Sequence, residues 1–425
     1  MKWLLFFAVI GIGVFFVKRG KNNVCKEFTD YYSDRDNNPN CYYNPDHELE
    51  VPGIVERHGY PIESYNVTTN DGYILTVFRI PHSPTSNETH RKPVFLQHGL
   101  TMNSGSFLLL GRKSLGFMLA DAGYDVWFGN FRGSRYSQSH THLKLESKSF
   151  WNFSIHELGV YDVRAQTDFV YRTTKQKLIY MAFSLGTTAG YVYGTTNSES
   201  AKEKIEFFVG VAPVVFLHTS FLKYASSLWP ILYHGSEFFT NGYFYPRPPM
   251  PKTLYKYLCF PYPIQMKVCQ VIDMIMLGYN YDQNDPETLP VTLLYNIDTA
   301  PNKVLNHFIQ IANTRSFRNY DHGKEKNQIV YNSSIPPSYD LSKLDIDNFF
   351  IFSENDKFSD EEHAKRLYSS FPKHVESSFH KILDRRFNHI DILCGRNADT
   401  LVYKPIIEKL KKKLKSQKSM SSPES

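Results

Sequence analysis

The chain has 425 residues, enough for one large domain or two smaller ones with a sizeable core. Apolar residues make up 42% and charged residues 21%, so the composition is that of a globular protein and excludes a disordered chain. The net charge of +6 includes Lys2, Lys18 and Arg19 at the N-terminus, and it gives no support to nucleic-acid binding.

The N-terminus has the pattern of a secretory signal peptide over residues 1–20. An apolar run of fifteen residues, Trp3 to Val17, lies between Met1-Lys2 and a basic pair. This run is shorter than the roughly 20 apolar residues that span a bilayer unaided. No Ala-x-Ala cleavage site follows it, however, so a membrane anchor through residues 3–17 stays open as an alternative. Glycosylation sequons, which fit the secretory route, are at Asn66, Asn87, Asn152 and Asn332.

A polar lead-in over residues 21–51, expected to be loosely held, precedes a series of alternating strands and helices. The predicted strands are a hairpin over 65–80 that turns at Asn70-Asp71-Gly72, followed by 93–97, 124–128, 177–182, 205–212, 348–353 and 377–383. Helices are predicted over residues 108–122 and 360–371, and two more begin at residue 184 and at Pro405. A further helix is predicted from its apolar face of Leu158, Tyr161, Ala165 and Phe169. Strands that alternate with helices predict an α/β fold with a mainly parallel sheet covered on both faces.

The alternation stops after residue 212 and resumes near residue 348. Between residues 216 and 262, 14 of 47 residues are aromatic, twice the average of the chain, and prolines are scattered among them. This change of composition indicates an insertion in the sheet domain. Ordinary core aromatics of a larger domain are the alternative interpretation.

Residues 182–186, Ala-Phe-Ser-Leu-Gly, follow an apolar strand and open a helix. A nucleophilic serine on a tight strand-to-helix turn needs small residues two positions before and after it, and Ala182 and Gly186 meet this need. The same Ser-Leu-Gly triplet at Ser114 lies inside a predicted helix with no strand before it, so the context favours Ser184. A helix-capping serine is the alternative at this position.

A nucleophilic serine needs a base, and the base needs an orienting acid. In this type of sheet the chain order is serine, then Asp or Glu, then histidine. Asp356 follows the strand 348–353 at the edge where catalytic loops of parallel sheets gather, and His389 follows the last strand. A capping aspartate and a surface histidine are the alternatives. The backbone N–H groups of Leu185 and of Leu100, just after strand 93–97, are the candidate donors to an oxyanion.

Several long motifs in one order resemble the acid lipase family, which includes gastric and lysosomal lipases. The resemblance runs from about Pro52 to Tyr403. The matching motifs are residues 95–100 (Phe-Leu-Gln-His-Gly-Leu), 122–130 (Ala-Gly-Tyr-Asp-Val-Trp-Phe-Gly-Asn), Arg132-Gly133, 185–188 (Leu-Gly-Thr-Thr), Pro336-Pro337-x-Tyr339 and Asn388-His389. The resemblance implies an α/β-hydrolase fold with a helical cap or lid, and hydrolysis of neutral lipid esters such as triacylglycerols or sterol esters. It implies no metal or organic cofactor.

We therefore expect the following division of the chain. Residues 1–20 are the signal peptide, 21–51 the lead-in, 52–212 the first part of the hydrolase core, 213–325 the cap, 326–414 the second part of the core and 415–425 a polar tail. An aromatic cap would cover a deep apolar pocket and open at a lipid–water interface.

The five cysteines cannot all pair within one chain. The resemblance implies a disulfide between Cys259 and Cys269 in the cap, with two reduced core cysteines as the alternative. Cys25 with Cys41 is a second candidate pair, which leaves Cys394 as a thiol.

The chain departs from the family at the nucleophile, because the family usually has Gly-His-Ser-Gln-Gly where residues 182–186 are Ala-Phe-Ser-Leu-Gly. The added methyl of Ala182 crowds the turn, and the side chains at 183 and 185 are expected to shape the pocket. We expect a secreted or endolysosomal serine esterase of the lipase type with Ser184, His389 and Asp356 as its triad. The alternatives are a membrane-anchored sterol-ester hydrolase and a catalytically lapsed lipid-binding member of the family.

Overall fold

A computed structural model describes residues 21–85, 90–217, 240–243, 263–295, 298–299 and 301–421, and residues 226, 227, 229–231, 233–235 and 237. The expected signal peptide over 1–20, Asn87, Cys259 and the last four residues of the polar tail lie outside the described residues. Within the described parts of the chain, no helix is long and apolar enough to cross a membrane.

Strands and helices alternate along the described chain. The strands are β1 Val24–Cys25, β2 Cys41–Tyr42, β3 Glu63–Thr68, β4 Tyr73–Ile80, β5 Pro93–Gln97, β6 Asp125–Gly129, β7 Ser139–His140, β8 Leu178–Phe183, β9 Ile205–Val211, β10 Asp347–Phe352 and β11 Ser377–Lys381. The helices are α1 Val51–Arg57, α2 Leu115–Asp121, α3 Ile155–Glu157, α4 Arg164–Thr174, α5 Leu185–Thr196, α6 Ser198–Lys204, α7 Pro263–Leu277, α8 Leu289–Tyr295, α9 Asn302–Thr314, α10 Lys324–Tyr331, α11 Glu361–Ser370, α12 Asp391–Cys394 and α13 Lys404–Ser421. Two π-helical stretches, Leu158–Val163 and Asp399–Tyr403, lead into α4 and α13.

Among the described residues, nine strands form one sheet in the spatial order β11-β10-β9-β8-β5-β6-β4-β3, with β7 paired to β4. Strands β5, β6 and β8 to β11 are parallel to one another, whereas β4 pairs in antiparallel fashion with β3, β6 and β7. The mainly parallel sheet and the hairpin of β3 and β4 are thus confirmed. Gly72 takes φ 97° in the hairpin turn, a conformation that glycine adopts without strain.

Two buried apolar clusters cover the two faces of the sheet. Along β8, Tyr180 belongs to the cluster under α4 and α5, whereas its neighbour Ile179 belongs to the cluster under α1, α2 and α13. A parallel sheet that is covered on both faces has strands that read as continuous apolar runs, and all six residues of β8 are buried. This burial explains why the core strands could be found in the sequence.

The region predicted as one helix over 108–122 is broken, so that prediction is wrong. Two short 3-10 helices, Ser104–Leu108 and Gly111–Lys113, precede α2. Gly111 has a left-handed φ of 54°, and Ser114 is extended at the N-cap of α2 with its hydroxyl accepting from Leu110 N at 2.8 Å. Ser114 therefore lies before a helix and not inside one, although no strand precedes it.

The lead-in over 21–51 is held firmly, although its polar composition predicted a loose segment. The Cys25–Cys41 disulfide joins β1 to β2 and confirms the second candidate pair. Tyr31 is buried in a cluster with residues of α7 and α8, and its hydroxyl donates to Pro286 O at 2.7 Å. The prediction failed because the covalent link and the packing partners are both distant in the sequence.

Candidate active site

Ser184 lies on the turn between β8 and α5. Its backbone has φ 51° and ψ −118°, a strained conformation for a residue with a side chain. Ser184 N donates to Val211 O of β9 at 3.1 Å, which ties the turn to the sheet. A Cβ added to Gly186 would lie 2.5 Å from Gln97 O, so α5 can start this close to β5 only with glycine at 186. The sheet thus imposes the sharp turn expected of a nucleophile.

Ser184, His389 and Asp356 form a continuous chain of hydrogen bonds. The distance from Ser184 Oγ to His389 Nε2 is 2.9 Å, and that from His389 Nδ1 to Asp356 Oδ2 is 2.7 Å. A neutral imidazole carries one N–H, and the carboxylate holds that proton on Nδ1, so Nε2 accepts from the serine hydroxyl. The three residues predicted from separate loops are therefore brought together in the order that allows proton transfer from Ser184.

The carboxylate of Asp356 is held on both oxygens. Its Oδ1 accepts from Phe358 N at 2.7 Å and from Ser359 N at 3.0 Å, while Oδ2 faces the imidazole. The following helix α11 is capped by Asp360, whose side chain accepts from His363 N, so Asp356 does not have the helix-capping role considered as its alternative. These bonds fix the plane of the carboxylate beside His389.

Two aromatic rings pack against the imidazole of His389. The ring centroids of Phe183 and Phe358 lie 4.9 and 5.1 Å from the imidazole centroid. Phe183, which stands where the family usually has histidine, is fully buried, and Leu185 is 3% exposed. The side chain at 183 therefore packs on His389 in the protein interior.

The predicted oxyanion loop, residues 98–104 after β5, runs beside Ser184. A Cβ added to Gly99 would lie 3.2 Å from Ser184 Cβ and 3.0 Å from the Phe183 ring. The backbone N–H groups of Leu100 and Leu185 make no hydrogen bond to another described residue. Two unpaired N–H groups beside a serine can stabilise the negative oxygen of a tetrahedral intermediate.

His98 supports this loop, a role that the sequence reasoning did not assign. Its Nε2 accepts from Phe131 N at 3.1 Å, and its Nδ1–H donates to Gly99 O at 2.8 Å. Burial lowers the pKa of His98 to about 4, so the ring is neutral and both nitrogens are used. A histidine directly after a buried strand was the only sequence signal available.

The histidine loop, residues 387–391, contacts the C-terminal end of α7 and the residue that follows it. His389 N donates to Leu277 O at 3.3 Å, and the side-chain amide of Asn388 donates to Gly278 O at 2.7 Å. Asp391 closes the loop by accepting from Asn388 N at 2.9 Å, and burial raises its pKa to about 7. Asp391 therefore supports the histidine loop, a second role that was not predicted from the sequence.

The predicted cysteine and sequon residues fall in different surroundings. Cys269 is disulfide-bonded, but its predicted partner Cys259 is outside the described residues, so that pairing stays a prediction. Cys394 is a thiol whose Sγ donates to Ile390 O at 3.4 Å. The sequon asparagines Asn66, Asn152 and Asn332 are all exposed.

A mainly parallel sheet with a serine on the turn after β8 defines an α/β-hydrolase. Residues 51–111 match the family described as the partial alpha/beta-hydrolase lipase region. Lipase member J of Homo sapiens is 34% identical over 370 residues, which cover 85% of this chain and 98% of that protein. Gastric triacylglycerol lipase of Bos taurus is 33% identical over 376 residues, which cover 86% of this chain and 91% of that protein.

Among solved structures, an acetylester hydrolase from Corynebacterium glutamicum has a TM-score of 0.51 at 14% identity, covering 85% of this chain and 98% of that one. This likeness agrees with the α/β-hydrolase fold. The chain belongs to the acid lipase family and is a carboxylic ester hydrolase.

Proposed function

We propose that this protein is a serine lipase or esterase that hydrolyses carboxylic esters of neutral lipids, triacylglycerols or sterol esters, through an acyl-enzyme on Ser184. The observation that carries the proposal is the hydrogen-bonded chain of Ser184, His389 and Asp356 at the carboxyl edge of the sheet. The relative named a gastric triacylglycerol lipase supports the substrate class.

In the first half of the reaction, Ser184 Oγ attacks the ester carbonyl carbon while His389 Nε2 takes the hydroxyl proton. The carboxylate of Asp356 stabilises the imidazolium through the proton on Nδ1. The N–H groups of Leu100 and Leu185 donate to the oxygen that becomes negative. The intermediate then collapses, the acyl group stays on Ser184, and the alcohol leaves with the proton from His389.

In the second half, water attacks the acyl carbonyl carbon and gives a proton to His389 Nε2. Collapse of the second tetrahedral intermediate breaks the bond to Ser184 Oγ, which takes back the proton, and releases the carboxylic acid. The side chains of Phe183 and Phe358 hold the imidazole plane during both proton transfers.

The cap that we propose over 213–325, between core parts 52–212 and 326–414, includes an exposed apolar face on α7. Val268, Val271 and Ile275 are spaced three and four residues apart, which places them on one helix face, and they are 54%, 46% and 62% exposed. Tyr279, 68% exposed, follows the helix end. Because this end also holds the histidine loop, the face supports contact with a lipid–water interface next to the site.

Passage through the secretory route is part of the proposal, with a secreted or endolysosomal destination. The Cys25–Cys41 disulfide and the disulfide of Cys269 require an oxidising compartment. Exposure of Asn66, Asn152 and Asn332 is compatible with glycosylation. Residues 1–20 supply the proposed signal peptide.

The test measures hydrolysis of a short soluble ester, an emulsified long-chain triacylglycerol and a sterol ester by the purified protein, together with labelling by a serine-directed phosphonate. We expect turnover and a phosphonate adduct that peptide mapping places on Ser184. Lipid binding without turnover or adduct would instead identify a catalytically lapsed lipid-binding protein. An intact Met1 in a membrane pellet would establish anchoring through residues 3–17.

A further inference from the structure

A buried carboxyl from the proposed cap reaches the oxyanion loop. Asp298, which precedes α9, is 1% exposed, and its backbone N–H donates to Thr101 O at 2.6 Å. Its Oδ2 accepts from the Asn103 side-chain amide and from Arg135 N, both at 2.9 Å. Its Oδ1 accepts from Thr299 N at 2.7 Å. One residue therefore binds the loop through both its backbone and its side chain.

These contacts lie next to the proposed oxyanion donor. On one side of Leu100, the carbonyl of Gly99 accepts from His98 in the core. On the other side, Thr101 has a φ of 58°, a strained conformation that persists only where the surroundings hold it. The described contact that holds the Thr101 carbonyl comes from Asp298. The Leu100 N–H thus lies between a core anchor and an anchor from the cap.

Asn103 extends the second anchor into the next element. Its Oδ1 accepts from Gly105 N at 2.9 Å and caps the 3-10 helix Ser104–Leu108, while its amide nitrogen donates to Asp298. Rotation of the Asn103 side chain would therefore release both the carboxylate and the start of the helix. The loop from Thr101 to Ser104 is fixed as one unit.

We infer that Asp298 is a positioning residue that holds the Leu100 N–H in the orientation needed to stabilise the oxyanion. The inference rests on the proposed function, because it takes Leu100 as an oxyanion donor. Asp298 acts through the loop and touches no reacting atom. It makes the catalytic rate depend on a segment of the cap that lies 195 residues from Asn103 in the sequence.

The charge on Asp298 should make its effect on the catalytic rate depend on pH. The groups that face the carboxyl are the neutral Asn103 amide, the backbones of Arg135 and Thr299, and the Arg135 guanidinium, which is itself paired with Glu50. Burial raises the pKa of Asp298 to about 6. Protonation would point an O–H at an N–H donor and weaken the hydrogen bonds between Asp298 and the oxyanion loop. These hydrogen bonds are therefore strongest above pH 6, where the carboxyl is ionised.

The experiment measures kcat and KM on a short soluble ester, with kcat expressed per active site titrated by the phosphonate. For Asp298→Ala we expect kcat to fall by about tenfold to a hundredfold, since a shift of about 1 Å in a catalytic group has effects of this size. KM should stay within about twofold, because the interaction strengthens only in the transition state. Asn103→Ala should lower kcat in the same way, and the double variant should lose less than the product of the two losses.

Asp46→Ala is the matched control, because Asp46 is also a buried carboxylate and its hydrogen bonds go to Arg57 and His58, away from the catalytic loops. It should lower the melting temperature and leave kcat per titrated site unchanged. The ratio of wild-type to Asp298→Asn kcat should be largest above pH 6 and approach one below it.

The inference would be overturned if Asp298→Ala leaves kcat per titrated site unchanged, including the case in which total activity falls only in proportion to the number of titrated sites. If Asp298→Ala does not fold, a constant wild-type to Asp298→Asn ratio between pH 5 and pH 8 would overturn it as well. A wild-type protein that neither turns over ester nor takes up phosphonate would instead reject the proposed function.

Discussion

The turn of residues 183–186, called the nucleophile turn for the proposed role of Ser184, faces the histidine loop across the site. The two are held by different parts of the molecule. The nucleophile turn is held by its own sheet, through the bond from Ser184 N to Val211 O and the approach of Gly186 to β5. The histidine loop is held from outside the sheet, because Leu277 O at the end of α7 and Gly278 O just after it accept its hydrogen bonds.

This difference explains why the nucleophile turn has a recognisable sequence motif and the histidine loop does not. A turn held by sterics needs small residues at given positions, and such a requirement is visible in a short motif. A loop held by hydrogen bonds to a remote segment has no local signature beyond the histidine itself. Changes in the nucleophile turn should therefore disable the chemistry directly, and changes around the histidine loop should act through the packing of the cap.

The largest effect is expected at Ser184, the proposed nucleophile. Ser184→Ala should lower kcat/KM by about a thousandfold or more, because it removes the atom that forms the acyl-enzyme. The matched control is Ser114→Ala, which changes the same Ser-Leu-Gly triplet at the N-cap of α2. It should lower stability by about 1 kcal/mol, because it leaves the Leu110 N–H without its acceptor, and it should leave the rate unchanged. Equal losses in the two variants would reject Ser184 as the nucleophile.

Gly186→Ala tests whether the sheet shapes the nucleophile turn. The new methyl would lie 2.5 Å from Gln97 O and 2.9 Å from His98 O, so α5 or the oxyanion loop must move. A displacement of about 1 Å there should lower kcat by roughly a hundredfold. Gly53→Ala in α1 is the control, because its methyl meets only the flexible Leu49 side chain. If both variants hydrolyse ester at the wild-type rate, the close approach of α5 to β5 does not require glycine at 186.

Asp391→Asn tests the histidine loop through pH. Burial raises the pKa of Asp391 to about 7, above the unfolded value near 4, so the folded state binds this proton more tightly. The contribution of Asp391 to stability is therefore full below pH 4 and is lost as the pH rises through 7. Asparagine keeps an acceptor for Asn388 N and for the Asn280 amide without the titration.

Between pH 4 and pH 7, the wild-type free energy of unfolding should fall by on the order of 2 kcal/mol relative to Asp391→Asn. Denaturant titrations at several pH values measure the difference. Parallel stability curves for the two proteins would show that Asp391 does not take up a proton in this range.

The smallest effect is expected on the exposed face of α7. Val271→Ser with Ile275→Ser should weaken activity on emulsified triacylglycerol by about fivefold, since the two changes together lose roughly 1 kcal/mol of apolar contact. Hydrolysis of a soluble ester should not change, because neither side chain contacts the triad. Ile329→Ser on α10, a side chain that is 85% exposed, serves as the control. A loss on both substrates would mean that the face supports the fold and not the interface.

The described fold could be predicted well wherever burial leaves a local pattern. The strand β5 lies at the residues predicted, and the other parallel strands differ by one or two residues, because the strands inside the sheet, unlike the edge strand β11, are largely apolar and buried. The helix predicted over 108–122 is broken where Gly111 takes a left-handed conformation, which turns the chain before α2. The catalytic roles of Ser184, Asp356 and His389 stay predictions, although the structure brings their side chains together.

The sequence by itself determined the succession of strands along the chain, the sharp turn that carries Ser184 and the loops that carry Asp356 and His389. These features follow from the backbone and burial requirements of residues close together in the chain. Only the tertiary structure decided that the lead-in packs on α7 and α8, that His98 and Asp298 hold the oxyanion loop, and that Leu277 O holds His389. Each is a contact between residues distant in sequence. The hydrogen-bond partner of a buried polar group is not encoded in the local pattern of apolar and polar residues, so the sequence does not reveal it.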